Sequence, residues 1–278
     1  MRKKSSLLFT LSIVIFLLIF PLISADDNEG GLTRGDLIIP VEAIIFLFMT
    51  GAIILNAKIV LKFGKSLYGT PFIYILFGLI LMELTRILYM LFDFRFLNLS
   101  HETLNFLWHM VFYIGMVSFI IALQKIKNTA QGNKKGIFSK KDYYLLSSLG
   151  ILTVILLIIA FPLDRWLNSA YVGSAADKLG LQHFLAFILA GLLASYLLWI
   201  KINKEYSGEF VSTIITPFLL FLILMSLNHF WELLTENWKI ILLSDEIIEK
   251  VEQLFWLPAS IILFYGFLSL NKIIKKSI

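Results

Sequence analysis

Seven uninterrupted apolar runs decide what this chain can fold into. They fall near residues 38–60, 70–92, 104–124, 143–163, 181–201, 212–234 and 253–271. Each is about 20 residues long, the length an α-helix needs to cross a hydrocarbon layer about 30 Å thick. No water reaches the backbone there, so a spanning segment must satisfy its own N–H and C=O groups, as a helix does. The expected fold is all-α: a multi-pass transmembrane bundle of seven helices, residues 38–271. The composition agrees, with 59% hydrophobic and only 15% charged residues, far from the soluble balance.

The segment before the first run has three parts: the basic stretch MRKK, the apolar stretch SLLFTLSIVIFLLIFPLI, and the small-residue stretch ending at Ala25. That order is the pattern of a signal peptide, residues 1–25, with a retained signal anchor as the alternative. Cleavage removes Arg2, Lys3 and Lys4 and no acid, leaving 21 basic residues against 19 acidic ones, +2 rather than +5. Residues 26–37 then form a short extracytoplasmic N-terminus.

Basic residues collect at alternate connections: Lys58, Lys62 and Lys65, then Lys125 to Lys141, then Lys201 and Lys204, then the tail at 272–278 with Lys272, Lys275 and Lys276. The opposite loops are acidic, as in SDEIIEKVE. The positive-inside rule therefore predicts a cell-membrane protein with its mature N-terminus outside and a cytoplasmic basic tail. The lipid bilayer is the first expected partner, and a membrane or cytoplasmic protein a second. No basic stripe with interleaved aromatics points to nucleic acid. The chain lacks cysteine, which excludes disulfides, thiolate zinc sites and iron–sulfur clusters.

PFIYILFGLILMELTRIL at Pro71 can be laid on PFLLFLILMSLNHFWELL at Pro217, which sets spans one to three against five to seven. The fourth span, free of ionisable groups beyond its inner end, would be a lipid-facing linker. In topology alone, such a 3+1+3 pseudo-repeat resembles the rhodopsin-like and sugar-transporter-like bundles. The last span, however, has no lysine for a retinal Schiff base. It also lacks the paired histidines of the seven-span zinc hydrolases related to ceramidases.

Ionisable side chains within spans cost about 2.5 kcal/mol or more at mid-depth and usually face the bundle interior. Here they gather at one level, in the outer half. Glu83 and Arg86 lie on the second span, Asn105 and His109 on the third, and His229 and Glu232 on the sixth. The step of three puts Glu83 with Arg86, and His229 with Glu232, on shared helix faces. Arg86 is expected to pair with Glu232 or Glu83. His183, at the start of the fifth span, reads either as an interfacial histidine or as a third ligand beside His109 and His229. These groups together form a ligand-binding or proton-relay site, and the histidines point to a divalent transition metal.

Three functions follow. The first is a binding protein, sensor or accessory subunit, with an outward pocket for a metal ion, small ligand or lipid headgroup. The second is a metal-dependent hydrolase or redox subunit. The third is a small-solute or ion transporter, which would want polar groups through both membrane halves.

Overall fold

The structure, a computed structural model, describes residues 38–63, 66, 69–93, 96–130, 138–202 and 209–276. The signal-peptide and N-terminal expectations lie outside the described residues. The elements are α1 (Ile38–Phe63), α2 (Thr70–Asp93), α3 (His101–Ala130), α4 (Lys140–Tyr171), the four-residue α5 (Ala175–Lys178), α6 (Leu181–Ile202), α7 (Glu209–Glu232) with a π-helical turn at Leu233–Asn237, and α8 (Asp245–Lys276). There is no strand among the described residues. Seven helices are long and apolar enough to cross a membrane, and the chain is an all-α seven-helix membrane bundle.

The spans sit where the apolar runs predict, but most helices overrun them, since a helix started in hydrocarbon can continue into the interface. Thus α7 passes through Pro217 instead of starting there, and α8 carries Lys272 and Lys275 as extra turns. Gly266 of α8 makes the crossing over Pro217 possible, because a Cβ there would lie 2.6 Å from the proline ring. At the start of α4, Ser139 and Asp142 form a capping box: the Ser139 hydroxyl accepts from the Asp142 N–H, and the carboxylate accepts from the Ser139 N–H at 2.7 Å.

Six of the helices close into a ring through the neighbours α1–α2, α2–α3, α3–α6, α6–α7, α7–α8 and α8–α1. The fourth stands outside, packed on α3. Only 11% of its apolar window is buried, against 67% for α3. It is pinned at both ends. At one, Asp142 takes Lys125 Nζ at 2.7 Å and the Tyr74 hydroxyl at 2.6 Å. At the other, Asp164 accepts from the Ser100 N–H at 2.9 Å and its hydroxyl at 2.8 Å.

The half of the bundle nearest the basic connections is filled by Phe119, Phe218, Phe221 and Phe267, all fully buried. Close packing of this kind leaves few voids large enough for water. The three buried histidines and Glu232 lie at the other, acidic end.

Candidate metal centre

The acidic end holds three buried histidines on three helices. His183 is placed by a local device. Ser174 caps α5, and Gly180, at φ 63, turns the chain into α6, whose third residue is His183. No side chain fits at Gly180, because a Cβ there would lie 2.6 Å from Asn237 of the π-helical turn. The two segments are also tied by Asn237 Nδ2 donating to the Asp177 carbonyl at 3.5 Å and Trp238 Nε1 to the Leu179 carbonyl at 3.3 Å. This brace fixes the start of α6 against the end of α7, and so His183 against Glu232. The π-helical turn itself closes through Trp238 N–H to the Leu233 carbonyl at 2.8 Å. Such single π turns are frequent at functional sites.

Glu232 is the centre of the cluster. Its Oε2 accepts from Nδ1 of both His183 and His229, each at 2.6 Å, and its Oε1 accepts from Asn228 Nδ2 at 2.7 Å. Distances this short mark charge-assisted hydrogen bonds. His109, on α3, donates from Nδ1 to the Asn105 carbonyl at 2.9 Å. A carbonyl only accepts, so Nδ1 carries the proton and Nε2 the lone pair. The ring centroids lie 4.5 Å apart for His109–His183, 5.6 Å for His109–His229 and 6.0 Å for His183–His229. Nε2 of His109 and of His229 are buried without a hydrogen-bond partner among the described residues. One donor atom from each of His109, His183, His229 and Glu232 falls within 4.8 Å of the others. Four nitrogen and oxygen donors at that spacing suit a tetrahedral ion of the zinc type.

A cavity of ≈ 130 Å³ opens beside them, lined by His109, His183, Glu232, Arg86, Asn105 and the aromatic walls Tyr89, Trp108 and Trp256. The lining also includes Glu42, Glu249 and Glu252, half-buried, and His101 and Glu236, exposed. His229 lies behind this lining, fully buried, with its ring edge-on to Trp108 at 5.3 Å and to Phe112 at 4.8 Å.

Of the residues singled out in the sequence, His109, His183, His229 and Glu232 come together, and Arg86 and Asn105 line their cavity. Asn105 also serves through its backbone. Glu232 gives its oxygens to the two histidines and Asn228, while the Arg86 guanidinium lies 4.9 Å over the Trp256 ring. Glu83 is not among the cavity residues; its carboxylate accepts from the Thr50 hydroxyl of α1 at 3.3 Å. His183 is 5% exposed and lies inside the bundle with the other histidines. Sequence reasoning missed Asn228 and Glu236. Both belong to the stretch SLNHFWELLTEN, and Glu236 stands four residues past Glu232, where an acid on the same helix face was the available signal.

No protein-family model matches this chain, and neither a curated protein nor a solved structure does.

Proposed function

We propose that this chain is a cell-membrane protein that binds one divalent transition-metal ion of the zinc type near its outer face, serving as a sensor or accessory subunit. The observation that carries the reading is the convergence of four buried donors from His109, His183, His229 and Glu232, all within 4.8 Å. Burying this many imidazole and carboxylate groups in one place is costly unless something compensates them, and a cation does so directly.

Two features support the reading. The acidic side chains lining the cavity favour entry of a cation over an anion. The aromatic packing beneath the site argues for holding the ion over passing it through, since a carrier needs a polar route on both sides of its site. A signal would then leave through the basic, cytoplasmic face, by way of a partner protein. An organic ligand or lipid headgroup in the same cavity is the second reading; the aromatic wall and Arg86 favour it.

Elemental analysis of the full-length protein, purified and exposed to zinc before dialysis, tests the proposal. About one tightly held ion per chain is expected for a four-donor site. Zinc no higher than in a membrane protein without such a cluster would end the reading.

The outward orientation has its own check. The chain contains no cysteine, so single-cysteine variants label cleanly. In intact cells an impermeant maleimide should modify Ser244→Cys and spare Lys141→Cys; the reverse pattern would place the site on the cytoplasmic side.

A further inference from the structure

We propose that the ion is held in a closed four-donor shell: Nδ1 of His183, Nδ1 of His229, Nε2 of His109 and the Glu232 carboxylate. Glu236 stands behind His183 as a positioning residue. This rests on the metal-binding reading above and goes further, to which atoms bind and what the centre can do.

The hydrogen bonds select the atoms. Nδ1 of His183 and Nδ1 of His229 both face one oxygen, Glu232 Oε2, at 2.6 Å. The two nitrogens therefore converge on a single point. His109 has committed Nδ1 to its own helix, which leaves Nε2 as its only ligand atom. Donors on a tetrahedral zinc ion with bonds of about 2 Å stand about 3.3 Å apart. Two of the donor pairs already stand 2.6 Å apart at the hydrogen bonds, and each of the four residues offers a ligand atom within 4.8 Å of the others, so binding needs local side-chain adjustment and no movement of the helices. The ion takes the place of the two ring protons that now hold the carboxylate. His183 and His229 then carry their protons on Nε2.

The atoms behind the donors are arranged for that outcome. In metal sites the non-ligating atom of each ligand is normally held by a further hydrogen bond. Two of the four ligands have such a holder, and a third has one nearby. The Asn105 carbonyl holds His109 Nδ1, and Asn228 holds Glu232 Oε1. Behind His183, Nε2 lies 3.8 Å from Glu236 Oε2, and a small ring rotation brings the pair into hydrogen-bond range. The His229 ring packs roughly perpendicular to Trp108 and Phe112, in surroundings where an Nε2–H can be accommodated by aromatic rings.

A four-donor shell leaves no position for a substrate. Catalytic zinc keeps one position for water, whereas closed sites do not. The centre therefore holds and reports an ion; it does not activate water. The cavity beside it is the ion's way in.

Cobalt(II) added to the metal-free, full-length protein in detergent tests this. The expected spectrum is that of a four-coordinate ion, and excess azide leaves it unchanged. Glu236→Gln should weaken cobalt binding by roughly 10- to 100-fold, and Glu236→Asp should recover part of the loss. The Glu236 side chain is 42% exposed, so the melting temperature of the metal-free variant should match that of the parent. A spectrum that azide alters, or full affinity in Glu236→Gln, overturns the closed shell or the role of Glu236 and leaves metal binding itself standing. Absence of any bound cobalt or zinc overturns both.

Discussion

His183→Ala should strip the protein of its metal, lowering zinc affinity by more than the roughly 100-fold that loss of an outer hydrogen-bond partner costs. The change deletes one of four donors and leaves three that cannot fill a tetrahedral shell. It also lets water enter from the cavity that His183 lines. His101→Ala is the control. His101 lines the same cavity but is exposed, with its ring 6.2 Å from that of Phe92, and its loss should leave binding intact. Calorimetric titration of zinc into the two full-length variants separates the outcomes. Equal affinities would show that the ion, if bound, sits elsewhere.

Glu232→Ala should have the largest effect on the metal-free fold. One carboxylate serves three buried donors: the Nδ1 atoms of His183 and His229 and the amide of Asn228. Each donor left without an acceptor costs about 1–3 kcal/mol, so the loss is roughly 3 kcal/mol or more, lowering the melting temperature by about 10 °C. Glu232→Gln should lose far less. It keeps an oxygen for the histidines, and Asn228 can turn its own oxygen, unpartnered among the described residues, toward the new amide. Thermal unfolding in detergent, with chelator present, checks the order. If alanine and glutamine variants melt together with the parent, the hydrogen-bond hub is not what holds α6 to α7.

Much of this was legible in the chain. Apolar length alone gives the seven spans, because hydrocarbon tolerates so few backbone solutions. The absence of charge in the fourth span agrees with its position outside the ring, little buried by the other helices. His109, His229 and Glu232 stand out because a deep ionisable group needs a reason. The partners are harder to read. Depth does not tell which side chain meets which, so Glu232 looks as well matched to Arg86 as to histidine. His183 resembles a surface residue, since its burial depends on the turn at Gly180 and the brace to Asn237, both tertiary. Glu236 reaches the site by way of a π-helical turn, and nothing in LLTEN distinguishes that turn from one of ordinary α-helix.

The pins on α4 have a consequence for the surrounding lipid. From Asp142 to Asp164 the helix takes 22 steps, a rise of about 33 Å, close to the thickness of a bilayer's hydrocarbon layer. A free helix answers a thinner layer by tilting on its own. This one is tied at one end to Tyr74 and Lys125 and at the other to Ser100, so mismatch must be met by tilting of α2, α3 and α4 together or by stretched lipid around them. Pinned in this way, α4 has a set length against the bilayer, and α3, which bears His109, would share any strain placed on it.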